Sequence, residues 1–254
     1  MSIKNTIYPI AILLFVGIIK SNKYRHRYGL GKKGFSLQKY YEYKKNNNVF
    51  LCVYDITDQK MLFTTKNASK NIEAASISKV CAAMAALDNN GGTFKNAADY
   101  ISMSKLLIDS DNASWDRIQE LAGGKQGVNE WSSENGYMFK PACVGTGNNQ
   151  TNAIDMCHFW SDVFHGKYLG WEKIIELTAA CATHDDRSLK YMPKNIKIGG
   201  KTGTFETANH DSCWLEYNGK LYSITILTLL GENADNIVAT LFKGLFDEYI
   251  ATNS

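Results

Sequence analysis

Alternation of the kind that makes strands is confined to the two ends of this chain, and the residues between them read as one helical pattern after another. Residues 48–57 alternate as a strand and are followed, across Asp58-Gln59-Lys60, by a second run at residues 61–65, the outline of a hairpin. The pattern returns beyond Pro193, at residues 196–203, 212–217 and 220–230, where Asn218-Gly219 supplies the dipeptide favoured in two-residue hairpin turns. Helical periodicity is predicted at residues 36–45, 76–87, 98–108, 113–121, 128–135, 154–164 and 171–181, with an amphipathic helix closing the chain at residues 235–250. Strands that lie so far apart in sequence can share a sheet only if the ends meet. The prediction is an α+β architecture, an antiparallel sheet formed by N- and C-terminal segments with an all-helical subdomain inserted.

Composition agrees with one globular catalytic unit over residues 34–254. Hydrophobic residues make up 44% and charged residues 21%, ordinary values that disfavour disorder and a many-span membrane protein. The formal charge of +3 arises from 28 basic and 25 acidic residues, a balance that makes no case for nucleic acid. Residues 7–19 are apolar, follow Lys4 and precede Lys20, Lys23, Arg25, His26 and Arg27. At helical rise that run covers roughly 20 Å, short of a hydrocarbon core of about 30 Å. Residues 1–33 therefore read as an export signal or short membrane anchor with a basic tether, which predicts an exported or membrane-anchored protein. The cysteines (Cys52, Cys81, Cys143, Cys157, Cys181, Cys213) form no Cys-x-x-Cys pair, and no disulfide connectivity is assigned. Cys52 and Cys81 read as small buried thiols.

Three short motifs carry chemistry. Ser76-Ile77-Ser78-Lys79 opens a helix, and its spacing puts the Ser76 hydroxyl and the Lys79 amine on one face, where an amine whose charge is suppressed can activate the alcohol. Ser110-Asp111-Asn112 lies between two helical patterns; taken alone it is a polar turn whose serine or asparagine caps the helix starting at Ala113. Gly199-Gly200-Lys201-Thr202-Gly203-Thr204 joins a cation, hydroxyls and glycines on a strand, and glycine there permits close approach of the backbone to a ligand.

In this order the three motifs resemble the signature set of the serine β-lactamase and penicillin-binding protein superfamily, Ser-x-x-Lys, Ser-Asp-Asn and Lys-Thr-Gly. Glu73-Ala74-Ala75 before Ser76, and the helix opened by Asp111-Asn112-Ala113-Ser114, are similar to the class A β-lactamases in particular. The resemblance spans about residues 35–249. It implies that Ser76 is the nucleophile, Lys79 its proton acceptor or relay, and Ser110 a proton shuttle to the leaving nitrogen. Asn112 then holds the substrate amide, Lys201 and Thr202 meet a substrate carboxylate, and the backbone N–H groups of Ser76 and Thr204, beside Gly203, form an oxyanion hole. The implied substrate is a small-molecule β-lactam, or a peptide or amide bearing a carboxylate, with no cofactor.

The chain departs from class A enzymes in two places. Their loop glutamate, which directs water onto the acyl-enzyme, has no counterpart between Glu134 and Asp155, and Glu130 and Glu134 read as solvent-exposed helical residues. The interval between Ser76 and Ser110 is short, which predicts a more open cleft. Loss of a general base costs about 10²- to 10⁴-fold in rate, so deacylation is expected to be slow. Two other readings stay open: a penicillin-binding or sensor module that does not turn over, and a glutaminase-type amidohydrolase, against which the Lys201-Thr202-Gly203 strand argues. No metal is assigned, since His184-Asp185-Asp186 cannot converge on one ion from a regular element, and His210-Asp211 offers no better set. Glu206 reads as a solvated turn residue, and Trp115, Trp131, Trp160, Trp171 and Trp214 as core.

Overall fold

The computed structural model describes residues 34–142, 148–181, 184–194 and 196–252. The apolar run at residues 7–19 lies outside them; among the described residues, no helix is long and apolar enough to cross a membrane.

Helix α1 (Leu37–Lys44), capped by the Ser36 hydroxyl, leads into β1 (Val49–Asp55) and β2 (Lys60–Thr64). The C-terminal half supplies β5 (Lys197–Phe205), β6 (Ala208–Tyr217) and β7 (Lys220–Leu229). All five strands form one antiparallel sheet in the order β2-β1-β7-β6-β5, so the N-terminal hairpin docks on the last strand of the chain. Asn218 and Gly219 take φ of 51° and 77°, the paired positive values that a tight hairpin between β6 and β7 requires.

Period-2 alternation sorts the strands into two cores. Val49, Leu51 and Val53 of β1 pack with Ile224 and Ile226 of β7 against α8 (Asp235–Leu245), which presents Val238, Leu241, Phe242 and Leu245. Phe50, Cys52 and Leu227 face the other way, into the helical insertion. The predicted final helix ends earlier than its periodicity suggests: past Leu245 the backbone widens into a π-helical turn, Phe246–Ala251.

The insertion is built around α2 (Ser78–Asn89), buried from Ser78 through Leu87. A helix apolar all round belongs inside, and its run of alanines lets α3 (Ala97–Ile108), α4 (Trp115–Leu121) and α5 (Gly124–Glu134) close on it. α6 (Ala153–Phe164) and α7 (Trp171–Thr178) complete the insertion. α4 starts two residues later than predicted, and neither Ser110 nor Asn112 caps it. No side chain caps it; the Asp111 carboxylate instead fixes the turn before it, accepting from the Ser114 amide at 2.9 Å and the Ser114 hydroxyl at 2.6 Å.

One element has no counterpart in the sequence prediction. β3 (Ile72–Glu73) pairs with β4 (Gln150–Thr151) as a separate two-stranded ladder immediately before the Ser76 segment. Cys52, Cys81, Cys157 and Cys213 are buried free thiols, and Cys181 is buried as well.

Candidate active site

Ser76 sits in a single 3₁₀ turn, Ala75–Ile77, that feeds directly into α2, and Ala75 is held at φ 46°. The turn is fixed from several sides. The Ser78 hydroxyl donates to the Ala75 carbonyl at 2.9 Å and accepts from Asn149 at 3.1 Å, and the Ala74 amide donates to the Asn149 carbonyl at 2.8 Å.

Lys79, the second residue of α2, is buried beneath it. Its ammonium donates to the Ser110 carbonyl at 2.6 Å, to the Asn112 side-chain oxygen at 2.5 Å and to Ser110 Oγ at 3.3 Å. Lys201, fully buried on β5, donates to the same Ser110 Oγ at 3.1 Å. The Ser110 hydroxyl therefore lies between two ammonium groups, an arrangement that depends on the left-handed backbone of Ser110, φ 57°. Burial pushes the Lys79 amine down to about 8, with the Lys201 charge acting in the same direction and Asp111 opposing. Burial also lowers Lys201. An amine that loses its proton near neutrality is what activation of a serine alcohol needs.

Ser76, Lys79, Asn112 and Thr204 line one cavity of about 320 Å³, together with Trp115 and Glu73. Thr202 is buried and is not among the residues that line it, whereas Thr204 is exposed and lines it. The glycines of β5 accommodate protein rather than ligand. A Cβ at Gly200 would fall 2.2 Å from the Ser212 carbonyl, one at Gly199 2.6 Å from the Trp214 ring, and one at Gly203 2.9 Å from the Ser76 nitrogen. The last contact presses β5 against the Ser76 turn.

Several residues at the site carry no readable sequence signal for it. Trp115, read as core, packs partly on the helical core and also walls the cavity. Arg187 is buried: its guanidinium donates to the His210 carbonyl at 2.7 Å, to Asp235 at 2.7 Å and to Thr204 Oγ1, bracing the end of β5. A lone arginine in a polar run gives no hint of this. Glu130, Glu134 and Glu206 are exposed, as predicted.

His184 does not gather with Asp185 and Asp186. Its partners are Asp211, with Nδ1 to Oδ1 at 3.1 Å, and Cys213, whose thiol donates to Asp211 at 2.9 Å. The ligand-type atoms of these three buried residues lie within 4.8 Å of one another, the grouping closest to a metal site among the described residues. Burial works against a charge on His184, but the Asp211 carboxylate together with the neighbouring Cys213 and Cys181 sulfurs outweighs it and lifts the imidazole well above its usual value; Asp211 is lowered despite its own burial. The cluster is a buried ion pair with an attached thiol. His210 faces elsewhere, donating from Nε2 to the Glu73 carbonyl at 2.7 Å and accepting at Nδ1 from the Thr228 amide at 3.1 Å. Burial pushes it down to about 4, which keeps it neutral.

This geometry can be set beside known proteins. The profile of the beta-lactamase enzyme family matches residues 101–243, more than half of the chain. None of the curated protein sequences matches. Among solved structures, the TLA-3 extended-spectrum β-lactamase superposes with a TM-score of 0.72 at 16% identity, covering 83% of this chain and 96% of that one. A β-lactamase from Chitinophaga pinensis gives 0.70 at 16% identity, covering 83% and 97%. A class A β-lactamase from Bacteroides cellulosilyticus gives 0.69 at 17% identity, covering 83% and 95%. Identity this low speaks to the fold alone, and it is the α+β fold predicted from the pattern of strands and helices. With the family profile spanning the Ser110 motif and the Lys201 strand, the chain belongs to the beta-lactamase enzyme family and is a serine hydrolase of that superfamily.

Proposed function

We propose that the chain forms an acyl-enzyme on Ser76 with a β-lactam, or with an amide or peptide that carries a carboxylate, and that release of the acyl group is its slow step. The observation that carries this reading is the convergence of Lys79 and Lys201 on Ser110 Oγ beside the cavity that Ser76 lines. In the forward step, neutral Lys79 takes the Ser76 proton as Oγ attacks the carbonyl carbon. The Ser76 and Thr204 N–H groups receive the developing oxyanion, and Ser110 gives its proton to the departing nitrogen while Lys79 returns the proton it took to Ser110, so that the C–N bond breaks and a serine ester remains. Lys201 supplies the positive charge for a substrate carboxylate, and Asn112 an amide for the acyl side chain. Slow release follows from the stretch between Glu134 and Asp155, which contains no carboxylate to direct water. The basic-flanked apolar run at residues 7–19 supports action outside the cytoplasm or at a membrane surface.

The test is incubation of the full chain with a fluorescent penicillin and a chromogenic cephalosporin, following adduct mass and turnover, with Ser76→Ala as control. A stoichiometric adduct on Ser76 that outlasts acylation supports the reading; absence of any adduct, or labelling that persists in Ser76→Ala, sinks it. An adduct that never releases product turns the chain into a penicillin-binding or sensor module.

A further inference from the structure

Hydrolysis of a serine ester needs a group that accepts a proton from water as the water attacks the carbonyl. Lys79 is already engaged by Ser110 and Asn112. Among the described residues lining the cavity that holds Ser76, one carboxylate is present, that of Glu73.

Glu73 reaches the cavity through the unpredicted β3–β4 ladder, where it pairs with Gln150. Its backbone is pinned by the hydrogen bond from His210 to its carbonyl. One carboxylate oxygen, Oε1, accepts from the Ala75 amide at 3.3 Å. The other, Oε2, is buried and has no hydrogen-bond partner among the described residues. Asn148 and Asn149 bring amide groups to the same cavity. With Oε2 buried and without a partner, and Oε1 held by one long hydrogen bond, the carboxylate is under-satisfied, a state that costs about 1–3 kcal/mol.

We propose that Glu73 is the general base of deacylation: its carboxylate, the one on the wall of the cavity that Ser76 lines, takes a proton from water as the water oxygen bonds to the carbonyl carbon of the Ser76 ester. The tetrahedral intermediate then collapses, the C–Oγ bond breaks, and the acyl group leaves as a carboxylic acid. Ser76 Oγ recovers the proton, which restores both the alcohol and the Glu73 carboxylate. This rests on the acyl-serine reading above. It also accounts for how a chain without the loop glutamate retains a route out of the acyl-enzyme, through a base that lies three residues before Ser76.

The charged and titratable groups around Glu73 are Lys79 on α2, Glu206 on the β5–β6 turn, and His210 on β6, which is neutral. Burial raises the Glu73 carboxyl, with Glu206 adding to the rise and the Ala75 amide and Asn148 opposing it. The base is therefore neutralised at a higher pH than an ordinary glutamate.

The experiment compares full-length wild type, Glu73→Gln and Glu73→Asp, labelled with fluorescent penicillin, by adduct mass over time and over pH, with thermal unfolding alongside. Glu73→Gln is expected to form the Ser76 adduct and to hold it about 10²- to 10⁴-fold longer. Glu73→Asp should recover part of the release rate. In the wild type release should slow as the pH falls through the raised Glu73 value, and this acid limb should vanish in Glu73→Gln. Release from Glu73→Gln at the wild-type rate, or an unchanged acid limb, overturns the proposal. So does loss of labelling in Glu73→Gln with unfolding unchanged, which would move Glu73 to acylation. No adduct in the wild type overturns the acyl-serine reading itself, and this inference falls with it.

Discussion

Gly203 and Ser76 touch through their backbones: a single methyl group added at Gly203 would fall 2.9 Å from the Ser76 nitrogen and 3.0 Å from that of Ile77. The strand bearing Lys201 and the turn bearing Ser76 are thereby held together, with the Ser76 nitrogen beside the β5 backbone, as the proposed oxyanion site requires. Gly203→Ala must push the two apart. The expected outcome is a loss of about 10²-fold in the rate of Ser76 labelling, the usual penalty for displacing a reacting group by about 1 Å. Thermal unfolding measured in parallel separates this from a folding defect, and wild-type labelling would show that the contact does not position the nucleophile.

The lowered Lys79 amine gives acylation a defined pH dependence. The neutral amine is the active form, so the labelling rate at saturating penicillin should rise with pH through about 8 and fall by about tenfold for each unit below it. Lys201→Gln removes the neighbouring positive charge but not the burial, so Lys79 becomes easier to protonate and the limb moves to higher pH. A limb that stays in place would mean that Lys201 does not tune Lys79. Lys79→Ala should abolish labelling altogether.

Arg187 braces Thr204, Gly203 and the His210 carbonyl with one planar fork. Lysine keeps the charge and loses the fork. Hydrogen bonds to a charged group are worth about 1.5–3 kcal/mol, so Arg187→Lys should lower labelling efficiency at limiting penicillin by about 10- to 100-fold. Adduct formation at varied probe concentration measures it.

The His184–Asp211 pair should be felt in stability rather than catalysis. Breaking a buried ion pair from one side costs about 3–5 kcal/mol, the loss expected in urea unfolding of His184→Gln. Because His184 is raised in the folded state, its contribution is complete below its ordinary 6.5 and fades as pH climbs through the folded value. Asp211 is lowered, so its share is complete above its ordinary 3.8 and fades as pH drops. The pair should therefore stabilise most between those two values. A wild-type-minus-variant difference that is flat across pH would contradict the assignment.

Much of this protein could be read in advance because the signals are local. Alternation in β1 and β7, the Asn218-Gly219 turn and the alanine-rich α2 each declare themselves within a few residues, since period and turn geometry are properties of neighbouring positions. Ser76, Lys79, Ser110 and Lys201 were legible because side-chain chemistry was joined to fixed spacing. Pairing across long intervals decided the rest. β3 and β4 are two residues each, too short to show a period, and they exist only because residues 72–73 meet residues 150–151. That meeting delivers Glu73 to the cavity. Arg187 under Thr204, and His184 against Asp211 and Cys213, are likewise set by strand register and by the burial that forces polar groups to find partners, which the identities of neighbouring residues do not encode.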